Sequence, residues 1–290
     1  MPPQVQTMPR FRSRLSRLAP DAHSDRTLLR PTSRAGVQRL RVAMGTWVTI
    51  EAAAPTESLA ILGIEAGYRA IADVESRMHP HREGSDLARI NSAAPRTCVP
   101  ISESTWRVLQ LALAMHALSD GTFDPCLPSH RGRLFDLRLS PAELKSRSAL
   151  CRAPLALDLG GIAKGYAIDV AIEALQAAGC VSGVVNAGGD LRLYGRSESV
   201  LLRRADGTCE PLTLADAALA VTDLNVGAPQ RPAEHRGYYR RCGPASPRSR
   251  YAAVVAMTAA VADALTKCVL LADAQCSERA LRAFDARRIG

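Results

Sequence analysis

The side chains best suited to chemistry lie around two glycine turns within residues 158–190. Asp158 comes just before the pair Gly160-Gly161, and Lys164 follows about one helical turn later. A second glycine pair separates Asn186 from Asp190. Glycines at the start of a helix leave backbone N–H groups open to phosphate, a nearby lysine adds positive charge, and carboxylates suit a divalent cation or a ribose hydroxyl. The segment is therefore a candidate phosphate or cation site.

The apolar pattern predicts the elements that would position these side chains. Leucines at alternate positions over 155–159 predict a short strand, and apolar residues then recur at helical spacing over 162–178. Gly179 stands where a glycine commonly ends a helix. The apolar run 181–185 predicts a second strand before the second glycine pair. The order is therefore strand, glycine turn, helix, strand, glycine turn.

Two common phosphate-binding motifs are excluded by spacing. A P-loop needs Gly-x-x-x-x-Gly-Lys-Ser/Thr, whereas Lys164 here precedes Gly165. The three glycines of the first turn and helix also do not fit the Gly-x-Gly-x-x-Gly spacing of dinucleotide-binding folds. A glycine turn that only lets a helix pack on a sheet explains the same spacing, so the glycines alone leave both interpretations open.

The charge of the chain is concentrated at its start. The net charge is +9 over 290 residues, with 47% hydrophobic and 22% charged residues, which is typical of a globular protein. Residues 1–41 hold nine arginines and two aspartates, a net charge of +7, which leaves +2 for all the rest. Because the basic residues belong to this first segment, a nucleic-acid function of the remaining chain is disfavoured.

Residues 1–36 are rich in Arg, Pro and Ser and lack the apolar core of a signal peptide, so we expect a disordered basic tail before a domain over 37–290. No apolar run approaches the length of a transmembrane helix, and none is predicted.

The eight cysteines contain no Cys-x-x-Cys pair, which excludes zinc-finger and thioredoxin-type sites. Scattered cysteines fit a reducing compartment slightly better, and we expect a cytoplasmic location.

Taken together, six short motifs resemble a known family. They are Met44-Gly45-Thr46, Ser85-Asp86-Leu87-Ala88-Arg89-Ile90-Asn91, Gly121-Thr122-Phe123-Asp124-Pro125, Asp158-Leu159-Gly160-Gly161-Ile162-Ala163-Lys164-Gly165, Asn186-Ala187-Gly188-Gly189-Asp190 and Ala262-Asp263-Ala264-Leu265-Thr266. In order and spacing they resemble the FAD:protein FMN transferases, the ApbE flavin-transferase family, over roughly residues 37–285. The resemblance implies an α+β, T-fold-like architecture in which helices cover antiparallel sheets around the central strand–helix–strand unit.

The resemblance also implies an activity. Family members use FAD and Mg²⁺ to transfer FMN to a Ser or Thr hydroxyl of an acceptor protein, releasing AMP. The acceptor would be a flavoprotein, such as a membrane-associated redox subunit. By match to the family, the FAD-binding residues are Met44, His79, Pro80, His81, Thr122, Phe123, Asp124, Asp158 and Lys164. The Mg²⁺ ligands by the same match are Gly161, Asp263 and Thr266. From spacing alone, His79 and His81 could bind a metal, but a lone His-x-His pair without further ligands is more often part of a plain polar loop.

Two departures from the family pattern leave alternatives open. Within 222–245 the usual acceptor-side motifs are missing, and His235 is the one histidine there, a residue type that suits a general base near neutral pH. The usual second hydroxyl position after Asp263 holds Lys267, which would contact phosphate in an alternative interpretation. Asp263 itself stands in an apolar helix, where a carboxylate is costly unless paired or metal-bound. An FAD pyrophosphatase and a non-catalytic FAD-binding protein are therefore the competing hypotheses.

Overall fold

The computed structural model describes residues 6–7, 35–127, 132–224 and 249–289. Two of the predictions above fall outside these ranges. The proposed base His235 is one of them, and nearly all of the predicted basic tail is the other. The predicted boundary between that tail and the domain over 37–290 therefore stays a prediction.

Within the part of the chain that the structure describes, the strands are paired antiparallel and form three sheets. In chain order they are β1 Gln6–Thr7, β2 Ala35–Ala43, β3 Thr46–Ala54, β4 Thr97–Pro100, β5 Leu137–Leu139, β6 Ser148–Cys151, β7 Ser182–Ala187, β8 Asp190–Tyr194, β9 Ser197–Arg203, β10 Cys209–Ala215, β11 Ala218–Asp223, β12 Tyr251–Ala256 and β13 Arg287–Ile289. The main sheet has the order β13-β12-β11-β8-β7-β3-β2, and the smaller sheets have the orders β1-β9-β10 and β4-β6-β5.

Among the described residues, six α-helices and one 3₁₀ turn accompany the sheets. They are α1 Glu57–Met78, α2 Asp86–Asn91, α3 Glu103–Leu118, the 3₁₀ turn Leu134–Asp136, α4 Ala163–Ala177, α5 Ala259–Leu271 and α6 Ala274–Ala283. The predicted helix end at Gly179 is confirmed, because Gly179 takes a positive φ of 82° just after α4. At the start of α3, Ser102 accepts a hydrogen bond from the Thr105 N–H. The predicted α+β class with antiparallel sheets is confirmed. Across the described ranges, no helix has both the length and the apolar character needed to cross a membrane.

The main sheet separates two apolar layers. Helices α1, α4 and α5 pack on one face, and the small sheet β1-β9-β10 packs near the other. Alternate residues of β7 show the division, because Val185 joins the helical core whereas Val184 joins the cluster that holds Val200 and Leu202. The helical layer is the larger one, and it carries the residues discussed below.

The predicted strand over 155–159 is wrong. Its leucines are buried, but the segment forms only an isolated bridge between Leu157 and Cys126. Asn91 explains the difference: its side chain accepts a hydrogen bond from the Leu157 N–H at 2.7 Å and donates one to the Leu157 carbonyl at 2.9 Å. A side chain thus satisfies the backbone groups that a neighbouring strand would otherwise use. The central unit is a loop, helix α4 and strand β7.

Asp86 ties α2 to the start of α3, and it yields a prediction about acid stability. The carboxylate is 5% exposed, accepts hydrogen bonds from the Ser102 N–H at 2.9 Å and the Thr105 hydroxyl at 2.7 Å, and pairs with Arg89. Burial opposes ionisation, yet these donors hold the pKa of Asp86 below its usual value. We expect Asp86→Asn to lower the free energy of unfolding at pH 7 by about 2 kcal/mol.

The pH dependence of this loss has a defined sign. Because the folded-state pKa of Asp86 is depressed, its stabilisation is present above the unfolded value of about 3.9 and is lost as pH falls through the folded value. Urea unfolding should therefore show the gap between wild type and Asp86→Asn closing from pH 5 toward pH 2. Asp73→Asn, which removes an exposed ion pair with Arg77, is the control and should change little. A gap that stays constant over this pH range would contradict the assignment.

Candidate functional site

A cavity of about 370 Å³ opens between four segments of the helical layer. These segments are the β2–β3 hairpin, the last turn of α1 with the loop after it, the loop before α4, and the first turn of α4. The lining residues are Met44, Gly45, Glu75, Met78, His79, Pro80, Asp158, Leu159, Gly160, Ala163 and Lys164. The volume lies within the range of small-molecule sites, and the lining mixes apolar groups with a few charged ones, as such sites do.

The hairpin tip is shaped by its backbone. Met44 has a φ of 52° and Gly45 a φ of 68°, so both central residues of the turn are left-handed. Two left-handed residues give a two-residue turn a backbone twist that matches the twist of the strands it joins. A methionine is rare in this conformation because its Cβ crowds the backbone. The turn places Met44 in the cavity wall.

The structure gathers five of the nine predicted FAD-binding residues around this cavity, namely Met44, His79, Pro80, Asp158 and Lys164. His81 is exposed on the same loop, where its N–H donates to His79 Nδ1 at 3.2 Å, and it is not among the lining residues. Sequence reasoning missed Glu75 and Met78. These two residues are three positions apart on α1, one turn before the histidine loop, and that helical spacing would have revealed them.

The predicted residues 122–124 are not among those that line this cavity. Phe123 is 2% exposed, and Asp124 lines a second cavity of about 340 Å³ with His116 and Arg133. The following residue, Pro125, contacts the Asp158 loop, since the Asp158 N–H donates to the Pro125 carbonyl at 2.8 Å. This stretch therefore helps to hold the Asp158 loop in place.

A row of side chains with alternating charges extends inward from the cavity. Lys164 pairs with Asp190 and lies 4.0 Å from Asp263 Oδ2, while Lys267 pairs with Asp263 Oδ1. Both carboxylates are at most 3% exposed, whereas 26% of the Lys164 side chain reaches solvent. The Gly165 N–H adds a hydrogen bond to Asp263 Oδ2 at 3.3 Å. Two carboxylates and two ammonium groups balance, so the cluster is neutral as it stands.

The pKa values in this cluster follow from burial and from the neighbouring charges. Burial opposes ionisation of Asp263, but Lys164 and Lys267 hold its pKa below the usual value, so it is a carboxylate at neutral pH. Burial is the main cause that lowers the pKa of Lys164; Asp263 opposes this shift, and Lys267 adds to it. Lys164 therefore lies in a poorly solvated position at the cavity, where interactions between charges are less screened than in water.

The geometry holding this cluster together depends on the crossing of α4 and α5. Asp169 of α4 accepts hydrogen bonds from the N–H groups of Ala259 at 2.8 Å and Ala260 at 2.9 Å, and it pairs with Arg192 at 2.8 Å. It therefore caps α5 from another helix, since Thr258 makes no side-chain cap. Sequence reasoning missed Asp169; an acidic residue among apolar helix positions was the available signal.

The predicted magnesium ligands do not fit a metal in this arrangement. Both oxygens of Asp263 are engaged by Lys267 and the Gly165 N–H. The Thr266 hydroxyl donates to the Asp263 carbonyl at 2.7 Å and is hydrogen-bonded to Thr222 at 2.7 Å, while Gly161 is buried. Within the described part of the chain, no group of three His, Cys, Asp or Glu side chains is arranged to hold an ion. We assign no step to Mg²⁺.

Solved structures with the same architecture include two ApbE proteins. The chain aligns with the flavin transferase ApbE of Vibrio cholerae at a TM-score of 0.69 and 19% identity, covering 88% of this chain and 93% of that one. It aligns with the ApbE protein of Thermotoga maritima at a TM-score of 0.68 and 22% identity, covering 87% and 91%. These similarities define the class of fold.

Sequence comparison then gives the family. The ApbE family profile matches residues 44–287, so the chain belongs to the ApbE family. A curated relative, the FAD:protein FMN transferase of Vibrio cholerae serotype O1, is 26% identical over 152 residues. That match covers 44% of this chain and 45% of the relative, so the chain matches less than half of the curated protein's length.

Proposed function

We propose that the protein transfers FMN from FAD to a Ser or Thr hydroxyl of an acceptor flavoprotein and releases AMP. The observation that carries this proposal is the cavity in which Met44, His79, Asp158 and Lys164 meet, within the fold of a family whose curated relative is named for that reaction. The cavity offers an apolar wall for a ring system and a partly buried ammonium for a phosphate. FAD combines both chemistries.

The reaction needs positioning and charge more than covalent help from the protein. The acceptor hydroxyl oxygen bonds to the flavin-side phosphorus, the bond from that phosphorus to the bridging oxygen breaks, and AMP leaves with that oxygen. The hydroxyl proton passes to a base, for which His235 remains the proposed residue although it lies outside the described ranges. Lys164 offsets negative charge on the pyrophosphate as the bond breaks, and Asp190 and Asp263 hold its ammonium in place.

The products distinguish this proposal from its competitors. The purified full chain is incubated with FAD and a library of synthetic peptides, each holding one Ser or Thr. Stoichiometric AMP with a peptide mass increase equal to FMN minus water is the expected result. AMP with free FMN and unlabelled peptides would replace the proposal with an FAD pyrophosphatase. FAD that binds and stays intact would replace it with a non-catalytic binding protein.

Lys164→Met tests the role given to this ammonium. Removing one preorganised positive group from a phosphoryl-transfer site is expected to lower the rate of AMP formation by about 100-fold. Lys145→Met, at an exposed position away from the cavity, is the matched control and should leave the rate unchanged. Thermal unfolding of each variant verifies that both are folded at the assay temperature. A rate for Lys164→Met equal to that of the control would remove Lys164 from the mechanism.

A further inference from the structure

The ammonium of Lys267 occupies a cluster of oxygen atoms. It donates to the Asp263 carboxylate, to the Asp263 carbonyl at 3.1 Å and to the Thr222 hydroxyl at 3.3 Å. An ammonium has three donors, and three oxygens receive them. A carboxylate, a carbonyl and a hydroxyl are also the oxygen types that a hard divalent cation selects. The Lys267 ammonium therefore already occupies the set of oxygen atoms that a divalent cation would use.

The charge balance is complete with Lys267 in place. Asp190 and Asp263 contribute two negative charges, which Lys164 and Lys267 offset. Without Lys267 the cluster would carry one uncompensated buried charge, which is strongly unfavourable. A divalent cation at Asp263 would have to displace the Lys267 ammonium and approach Lys164, whose Nζ is only 4.0 Å from the same carboxylate. Repulsion between these cations opposes its binding.

Residue choice supports a specific role for the ammonium. The chain holds 37 Lys and Arg residues, and only three of them are lysines, Lys145, Lys164 and Lys267. Two of the three meet at Asp263, in a chain that otherwise uses arginine for positive charge. A compact point charge fits a small oxygen cluster, whereas the planar fork of arginine does not.

We infer that Lys267 replaces a divalent cation at Asp263, so that this protein binds and positions the FAD pyrophosphate through lysine ammonium groups and without a metal ion. Lys267 is 6% exposed and acts through Asp263, which in turn places Lys164 at the cavity. It is therefore a positioning residue. The inference rests on the proposed function for its ligand, FAD, but the cation site itself can be tested without any ligand.

The first measurement is a titration of the full wild-type chain with Mn²⁺. The electron paramagnetic resonance signal of free Mn²⁺ reports how much of the ion is bound. We expect no tight Mn²⁺ site, and we expect FAD affinity, measured by flavin fluorescence, to be equal in EDTA and in millimolar MgCl₂. One Mn²⁺ per chain that is lost in Asp263→Asn would overturn the inference. Wild type that binds no FAD under either condition would defeat the proposed function, and the Mn²⁺ titration would still decide the inference.

Lys267→Thr provides a gain-of-binding test that a purely structural role would not produce. A hydroxyl in place of the ammonium removes the built-in charge and leaves an oxygen donor next to Asp263. We expect this variant to acquire one Mn²⁺ site and to bind FAD about tenfold more tightly with Mg²⁺ than with EDTA. Lys145→Thr is the matched control and should behave as wild type. A folded Lys267→Thr that gains no Mn²⁺ affinity would contradict the inference.

Discussion

Gly165→Ala is expected to destabilise the protein by about 3 kcal/mol or more, a large part of the stability of an ordinary domain. A Cβ at this position would lie 2.7 Å from the Ala260 Cα and would overlap the Ala259 carbonyl. These are backbone atoms of α5, so no side chain can turn aside, and the two helices must separate. The separation would also pull Asp263 away from Lys164.

A loss of stability in Gly165→Ala would distinguish close helix packing from helix propensity, because helix propensity alone predicts a gain. Within an exposed helix, alanine is about 1 kcal/mol more favourable than glycine. Urea unfolding at neutral pH measures the difference directly. Gly36→Ala is the matched control, since no atom lies within 4 Å of its added Cβ, and it should stay near wild type. A Gly165→Ala variant as stable as wild type would show that α4 and α5 do not cross this closely.

Asp263→Asn is expected to lower the free energy of unfolding by about 3–5 kcal/mol and to reduce AMP formation from FAD to background. The substitution keeps the shape of the side chain but leaves the Lys267 ammonium buried without its counter-ion. It also removes the charge that holds Lys164 from the inner side. Denaturant unfolding and AMP formation are measured on the same preparation, at a temperature where the variant is folded.

A double variant separates the two effects. Asp263→Asn combined with Lys267→Met removes both charges of the buried pair, so we expect it to recover much of the lost stability while AMP formation stays low. Such recovery is a coupling energy between neighbouring residues. Stability losses that simply add in the double variant would show that Asp263 and Lys267 do not interact.

The parts of the fold that depend on local pattern could be predicted from the sequence. The periodicity over 162–178 and the glycine at 179 correspond to helix α4 and its end because those signals act within one or two turns. The leucine alternation over 155–159 predicted a strand wrongly, because the Leu157 N–H donates to the side chain of Asn91, 66 residues away in the chain. Long-range hydrogen bonds of this kind leave no local signature.

The contacts of the candidate site likewise include one that the sequence could predict and others that depend on long-range packing. The pair Asp263 and Lys267 is four residues apart on one helix, so its contact was open to sequence reasoning, although the motif match drew attention to a metal instead. The contact of Lys164 with Asp190 depends on the packing of α4 against β8, and that of Asp169 with α5 depends on a helix crossing. Spacing in the sequence contains neither piece of information.

We propose that the 370 Å³ cavity is the site that binds FAD. Hydrogen–deuterium exchange of the full chain, measured with and without FAD, shows where FAD binds. Binding there should slow exchange over 42–47, 75–80 and 158–165, which together form the cavity walls. Protection confined to 116–124 and 133–135, which line the second cavity, or no protection by saturating FAD, would contradict FAD binding at this cavity.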